Sequence, residues 1–121
     1  MTEWTPMTVN TILYCRLWQE TVAFYQEKLE MPVIFRRKGF VEFGIGSAAR
    51  LSLADDAGTR IKSQKGKGLM LTFQVRDIAR IRTLFQEKGL DPTPVSLHPW
   101  DAKVFYMSDP EGHRIEFWEP V

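Results

Sequence analysis

FYQEKLEMP at residues 24–32 recurs as LFQEKGLDP at residues 84–92, so part of the chain repeats after 60 residues. Gln, Glu, Lys and Pro stand at the same places in both copies. Proline has no backbone N–H and does not fit inside a helix, so each copy predicts a helix that ends before the proline and leads into a strand. The chain is therefore predicted to consist of two similar halves.

Strand-like segments surround both copies of the repeat. Residues 9–15 and 69–75 precede the two helices, and the second segment alternates apolar and polar side chains as a half-buried strand does. Three further strand candidates follow each helix, at residues 33–37, 40–44 and 50–54 in the first half and at residues 93–97, 103–108 and 114–119 in the second. Each half is therefore predicted to be a βαβββ module.

These modules define the expected domain organisation. Module one occupies residues 8–55 and module two residues 68–120, within a single domain of residues 1–121. The segment 56–67 is rich in charge and glycine, which is typical of a mobile linker. The prediction is an α+β fold in which each helix covers one face of its own sheet and the curved opposite faces enclose a cleft.

The overall composition restricts the class of partner. The chain has 121 residues, 44% of them hydrophobic and 26% charged, and a formal net charge of +1. This is typical of a globular protein and gives no general attraction to nucleic acid or anionic membranes. Cys15 is the only cysteine, and the sequence has neither a signal-peptide pattern nor an apolar run near the roughly 20 residues that span a bilayer. We therefore expect a cytoplasmic protein with no nucleic-acid or membrane partner.

The C-terminal motif DPEG at residues 109–112 lies between two predicted strands. Proline fixes φ and glycine accepts a positive φ, so the motif predicts a turn. Together with the Phe24-Tyr25 helix and the βαβββ duplication, it resembles the vicinal oxygen chelate superfamily, which includes glyoxalase I, bleomycin-resistance proteins, fosfomycin-resistance enzymes and extradiol dioxygenases. The resemblance covers nearly the whole chain and implies a homodimer that binds a small molecule in its cleft.

Catalytic members of this superfamily hold one divalent metal with residues from the first and last strands of both modules. The resemblance places these four positions on Asn10, Ser52, Met70 and Glu116. Mg²⁺ and Mn²⁺ prefer several oxygen ligands, and Zn²⁺ prefers three or four His, Cys or carboxylate donors, whereas only Glu116 is a typical ligand here. We therefore expect no metal and no other cofactor, with a divalent metal held by displaced ligands as the alternative.

Glu116 is the candidate for a polar anchor or a catalytic base. Side chains alternate along a strand, so Glu116 shares its face with Arg114 and Trp118, and this face is predicted to line the cleft. The same alternation places His113 on the other face, exposed or toward the helix. The alternative for Glu116 is a carboxylate that pairs with a nearby cation and takes part in no chemistry. The candidate cations are Arg50, Arg114 and Lys103.

Other side chains are predicted to contact the ligand. Trp100 and Trp118 offer flat apolar walls for a ring, or they pack in the core or in a dimer interface. His98 lies in a loop at the expected mouth of the cleft. The predicted ligand-binding residues are Asn10, Tyr14, Ser52, Met70, Gln74, His98, Trp100, Arg114, Glu116 and Trp118.

Three functional hypotheses follow. The first is a protein of the glyoxalase, bleomycin-resistance and dioxygenase type that binds a small organic molecule without the usual metal, in a cleft between modules or between chains. The second is a metal-dependent glyoxalase-like lyase or dioxygenase that uses Glu116 with displaced ligands such as His98. The third is a non-catalytic structural or interaction module whose cleft is filled.

Overall fold

The computed structural model describes residues 3–121. The chain forms two compact units that divide between Gln64 and Lys65, inside the segment that the sequence assigned to the linker. Each unit has one four-stranded mixed sheet and follows the βαβββ order, so the predicted α+β fold of two tandem modules is confirmed. Within residues 3–121 no helix has both the length and the apolar character needed to cross a membrane.

The first unit is a sheet with strand order β1-β4-β3-β2, in which β1 runs parallel to β4 and the other pairs are antiparallel. Its helix α1 continues directly into a π-helical segment, and a short 3-10 turn follows β4. The bounds are β1 (Val9–Cys15), α1 (Trp18–Ala23), the π-helical segment (Phe24–Lys28), β2 (Val33–Arg37), β3 (Phe40–Ile45), β4 (Ala49–Asp55) and the 3-10 turn (Asp56–Gly58).

The core of the first unit lies between this helix and one face of the sheet. Leu13 and Cys15 on β1 are buried, while Asn10 and Tyr14 alternate onto the opposite face, as predicted. The Tyr25 ring is fully buried, with its centroid 6.1 Å from that of Phe43 on β3. The face of the sheet away from the helix, which we call the open face, is thus free for polar side chains.

The second unit repeats this plan with strand order β5-β8-β7-β6 and a parallel pairing of β5 with β8. Its bounds are β5 (Met70–Gln74), α2 (Ile78–Glu87), β6 (Ser96–His98), β7 (Ala102–Ser108) and β8 (Arg114–Pro120). Phe85 of α2 packs on Phe117 of β8, and Phe117 stacks on Phe105 of β7, with ring centroids 5.2 and 5.0 Å apart. Phe117 therefore points toward the helix and leaves Glu116 on the open face, as predicted.

The two helices end differently, although their sequences are similar. In the second unit Gly89 has a positive φ, and the amide of Leu90 donates to the carbonyl of Phe85 at 3.0 Å, which closes α2 in a Schellman motif. The first copy has Leu29 in place of this glycine, and Glu30 takes the positive φ one residue later. The first helix consequently ends in wider, π-type hydrogen bonds.

The strand predicted at residues 93–97 is shorter and later than expected, since β6 begins at Ser96. Pro94 has no amide hydrogen to donate to a ladder, which explains the lost pairing. Thr93 still contacts β7, because its amide donates to the carbonyl of Tyr106 at 3.0 Å and its hydroxyl accepts from the amide of Tyr106 at 2.8 Å.

The DPEG turn is built around the buried carboxylate of Asp109. One oxygen accepts hydrogen bonds from the amides of Glu111, Gly112 and His113 at 2.9–3.0 Å, and the other lies 2.8 Å from Nδ1 of His113. His113 is itself buried. Its burial contradicts the exposed alternative that the sequence allowed, and its ring pairs with Asp109 inside the turn.

The predicted linker has its own local structure. Asp56 accepts hydrogen bonds from the Lys62 ammonium and from the Ser63 amide, at 2.6 and 3.0 Å. Gly66, with φ +83°, lies against the backbone of the DPEG turn, so closely that a Cβ there would overlap the carbonyl of Gly112. The second unit therefore includes residues just before the predicted start of module two.

We expect Gly66→Ala to destabilise the protein by about 2 kcal/mol or more, because it combines a strained positive φ with a backbone overlap. Gly68→Ala is the matched control: Gly68 has a similar φ of +75°, but nothing lies within 4 Å of an added Cβ. Strain alone should cost the control about 1 kcal/mol. Urea unfolding of both variants measures the difference, and equal losses would contradict the close packing of Gly66 on the turn.

The N-terminus of α2 is capped from β8. The amides of Asp77 and Ile78 donate to the two carboxylate oxygens of Glu119 at 2.7 and 3.1 Å. These hydrogen bonds, from Ile78 first and then Asp77, lower the pKa of Glu119 below its ordinary value of 4.5. The carboxylate therefore ties the start of the helix to the last strand.

We expect Glu119→Gln to lower the free energy of unfolding at neutral pH. The folded-state pKa of Glu119 is depressed, so the ionised carboxylate stabilises the wild type fully at pH values above the ordinary pKa. This extra free energy of unfolding is lost as the pH falls through the lower folded-state pKa. Urea unfolding at a series of pH values measures how the difference in free energy of unfolding between wild type and variant decreases toward low pH. Glu87→Gln, at the exposed end of the same helix, should show no such loss. A difference for Glu119→Gln that does not change with pH would refute the assignment.

Candidate functional site

The open face of the second unit carries a pocket of about 340 Å³. Strands β7 and β8 form its floor, and the turn between β6 and β7 forms its rim. Its lining comprises His98, Trp100, Ala102, Val104, Glu116 and Trp118. Four of these residues, His98, Trp100, Glu116 and Trp118, belong to the predicted ligand-binding set. The pocket, which we call the Glu116 pocket, is within the size range of small-molecule sites.

The rim of the Glu116 pocket is a tight turn that holds two rings together. The amide of Trp100 donates to Nδ1 of His98 at 3.3 Å, and the two rings stack with centroids 6.3 Å apart. Asp101 has a positive φ, and its amide donates to the carbonyl of His98 at 3.1 Å. Trp100 is 81% exposed, so this large apolar ring is available for contact with a ligand.

Glu116 is oriented by two hydroxyl groups. Thr72 donates to one carboxylate oxygen at 2.7 Å, and Tyr106 donates to the other at 3.1 Å. Within the second unit Glu116 forms no ion pair with Arg114 or Lys103, which were two of the three cations considered as its partners. The guanidinium of Arg114 lies instead over the Tyr106 ring, 4.2 Å from its centroid.

Sequence reasoning missed Thr72 and Tyr106 as members of the site. Both lie directly opposite Glu116 in the sheet, Thr72 on the parallel neighbour β5 and Tyr106 on the antiparallel neighbour β7. The only signal in the sequence was the polar position of Thr72 in an alternating strand. The register of three strands, which the sequence did not specify, brings these groups together.

The electrostatics of the site act on Tyr106. Burial raises the pKa of its phenol, and the hydrogen bond and negative charge of Glu116 raise it further, while the positive charge of Arg114 opposes them. The phenol is therefore protonated at neutral pH and can donate to the carboxylate.

The open face of the first unit places the predicted residues differently. The hydroxyl of Ser52 donates to the side-chain oxygen of Asn10 at 2.7 Å, so two of the predicted ligand-binding residues bind each other. Beside them Arg50 forms an ion pair with Glu42 at 3.5 Å. Tyr14 lies farther along the same face of β1 and lines a larger pocket of about 750 Å³.

The remaining predicted residues lie outside the lining of the Glu116 pocket. Met70 and Gln74 are on the exposed side of β5, where Met70 is 47% exposed. Arg114 is on the open face of β8, over the Tyr106 ring.

A family comparison identifies the chain. The glyoxalase-like domain family matches residues 8–121, which is nearly the whole sequence. The chain belongs to the glyoxalase-like domain family. With it, the resemblance to the vicinal oxygen chelate superfamily is confirmed.

Solved structures agree with this glyoxalase-like fold. A glyoxalase/bleomycin resistance protein/dioxygenase from Nocardioides matches with a TM-score of 0.80 and 20% identity, over 100% of this chain and 87% of that chain. A lactoylglutathione lyase from Agrobacterium tumefaciens matches with a TM-score of 0.75 and 20% identity, over 98% of this chain and 96% of that chain. A glyoxalase/bleomycin resistance protein from Catenulispora acidiphila matches with a TM-score of 0.75 and 15% identity, over 95% and 99%. At such identities the likeness establishes the fold. No curated protein matches the chain.

The donor set of this glyoxalase-like protein does not fit the superfamily's metal. The first unit offers Asn10 and Ser52 at the expected positions, and the second offers Met70 and Glu116, so one first unit with one second unit supplies a single carboxylate. Ser52 and Asn10 already bind each other. In the part of the chain from residue 3 onward, no three His, Cys, Asp or Glu side chains group as metal ligands would.

We expect Glu116→Gln to lower the pKa of Tyr106 toward its ordinary value, because the negative charge that disfavours the phenolate is lost. Arg114→Gln should raise the same pKa, because a positive charge that favours the phenolate is lost. A titration followed by NMR with ¹³C-labelled tyrosine measures the pKa of Tyr106 in each variant. Shifts of the same sign in both variants would rule out this charge arrangement.

Proposed function

We propose that this glyoxalase-like protein binds a small organic molecule in the Glu116 pocket, without a metal at the superfamily's usual positions. Glu116 is the polar anchor, and the rings of Trp100 and Trp118 are the walls. The observation that carries the proposal is that one pocket of ligand size combines an oriented carboxylate with these two indole rings. Ligand pockets commonly combine apolar and aromatic walls with a few fixed polar groups.

The carboxylate retains capacity for a ligand. Each oxygen of Glu116 accepts one hydroxyl hydrogen bond, from Thr72 or from Tyr106, while an ionised carboxylate offers about four acceptor sites in total. An N–H or O–H group of a ligand can therefore bind Glu116 without displacing either hydroxyl. The two hydroxyls fix the carboxylate in advance, which reduces the entropy cost of binding.

The composition of the pocket supports a ring-bearing ligand. Ala102 and Val104 give an apolar floor, and Trp118 is half-buried beside Glu116. The exposed Trp100 ring can stack on a ligand and lose its own contact with water. Aromatic contacts of this kind add to the free energy of area burial.

A second candidate is a metal-dependent glyoxalase-like lyase or dioxygenase. It is supported by one observation, that His98 lines the same pocket as Glu116. One observation against it is that Nδ1 of His98 already accepts a hydrogen bond from the amide of Trp100. In addition, His98 and Glu116 are two metal ligands, whereas a catalytic zinc site has three protein ligands. The third hypothesis, a non-catalytic interaction module, predicts no small-molecule ligand for this pocket. The homodimer and the cytoplasmic location stay predictions.

Binding can be tested by screening ring-bearing compounds for a rise in melting temperature, since a ligand of the folded state adds stability as RT ln(1 + [L]/Kd). For a hit, we expect Glu116→Gln to weaken binding about tenfold or more, because a hydrogen bond to a charged group is lost. Trp118→Ala should weaken it similarly by removing one wall. Isothermal titration calorimetry measures both effects. Trp4→Ala removes an exposed indole outside the pocket and should leave the affinity unchanged.

The outcomes separate the three functions. A ligand whose affinity falls in both pocket variants, in protein with no stoichiometric metal by elemental analysis, supports the proposal. Stoichiometric metal that is lost together with a lyase or dioxygenase activity in Glu116→Gln would favour the enzyme. No shift with any compound of a diverse set would favour the interaction module.

A further inference from the structure

The pocket of about 750 Å³ on the first unit has a chemistry that the proposed function does not use. It lies at the Tyr14 end of the open face, between β1, the start of α1, the turn from β2 to β3, and the segment after β4. Three aromatic residues, Tyr14, Trp18 and Phe40, line it together with the cationic side chains of Arg37 and Lys38. We call it the Tyr14 pocket.

The charge of the Tyr14 pocket is positive. Arg37 and Lys38 are exposed at its rim, and Asp55 is the single carboxylate in its lining. One oxygen of Asp55 is engaged by the amide of Ala57 at 3.1 Å. The Glu116 pocket has the opposite character, with a carboxylate and no Lys or Arg in its lining.

The two cations stand on a fixed hairpin. Arg37 pairs with Phe40 across a two-residue turn in which Gly39 has φ +75°. The amide of Asp55 donates to the carbonyl of Gly39 at 2.8 Å, which ties the turn to β4. The guanidinium carbon of Arg37 lies over the Phe40 ring, 5.3 Å from its centroid. Arg37 is thus placed over an aromatic ring of the lining before any ligand binds.

The remaining polar groups suit an acceptor-rich ligand. The hydroxyl of Tyr14 has no hydrogen-bond partner among residues 3–121, so it is available to donate. Trp18 is held in place by a hydrogen bond of 2.8 Å from its indole nitrogen to the carbonyl of Leu53. Its ring is therefore a fixed part of the wall.

We propose that the Tyr14 pocket binds an aromatic organic anion, with the ring of the ligand against Tyr14 and Phe40 and its carboxylate at Arg37 and Lys38. The hydroxyl of Tyr14 donates a further hydrogen bond to the same carboxylate. Arginine and lysine form charge-assisted hydrogen bonds with carboxylates, and these are stronger than neutral ones. The inference does not depend on the proposed function, because it concerns a different pocket with the opposite charge.

The test compares naphthoate with naphthamide, which have the same ring system but differ in charge. Titration of ¹⁵N-labelled protein with naphthoate should shift the amide signals of residues 37–40 and 54–59. We expect naphthoate to bind several-fold to about tenfold more tightly than naphthamide, because only the anion gains the two ion pairs.

Variants locate the binding. Arg37→Gln combined with Lys38→Gln should weaken naphthoate binding about tenfold and leave naphthamide binding unchanged. Lys67→Gln combined with Arg76→Gln makes the same charge change at exposed positions of the second unit and should have little effect. Tyr14→Phe keeps the ring and removes only the hydroxyl, so it tests the pocket even if the double variant folds poorly. It should weaken naphthoate binding several-fold.

Three results would overturn the inference. They are equal affinity for the two compounds, unchanged naphthoate affinity in both Tyr14→Phe and the Arg37/Lys38 variant, and shifts confined to the strands of the Glu116 pocket. The last result would leave the proposed function standing, since that pocket would then be the one that binds. Conversely, failure of the Glu116 and Trp118 variants to change ligand affinity would not affect the Tyr14 pocket.

Discussion

The parallel pairing of the first and last strands is the constraint on which each unit depends. In the first unit β1 lies beside β4 with Ile12 opposite Ser52, and in the second β5 lies beside β8 with Thr72 opposite Glu116. Side chains alternate with a period of two, so a slip of one residue would move Glu116 into the core and Phe117 to the open face. The buried aromatic contacts of Phe117 make that slip costly, and the same contacts therefore fix the position of the candidate anchor.

The two units keep this register and differ in the chemistry of their open faces. Arg50 and Arg114 occupy corresponding places on the last strands, but Arg50 forms an ion pair with Glu42 while Arg114 lies over the ring of Tyr106. The carboxylate of Glu116 is thus bound by the neutral hydroxyls of Thr72 and Tyr106. At the place that corresponds to Glu116 the first unit has Ser52, whose hydroxyl donates a hydrogen bond to Asn10.

Much of the fold could be predicted because its signals are local. Strands β1 and β2 match their predicted bounds, and the alternation along β8 placed Glu116, Trp118 and Phe117 on the correct faces. The errors have local causes as well, such as the missing amide of Pro94 at the predicted start of β6. Contacts that form only through the register of neighbouring strands could not be predicted from the sequence. Thr72 and Tyr106 reach Glu116 in this way, which is why the hydroxyls that orient the carboxylate were missed.

Most contacts that hold the fold of this glyoxalase-like chain are separate from the side chains of the candidate site. The ends of the strands in the second unit are held by groups away from the open face, namely the Asp109 carboxylate in the DPEG turn and the Glu119 carboxylate at the start of α2. Most of the core lies on the helix side of each sheet, although Ala102 and Val104 are buried on the open face. Asn10 and Met70 are exposed on the open face, where a change of side chain removes no buried apolar contact. Side chains on the open face can therefore differ while the buried aromatic contacts on the helix side keep the fold.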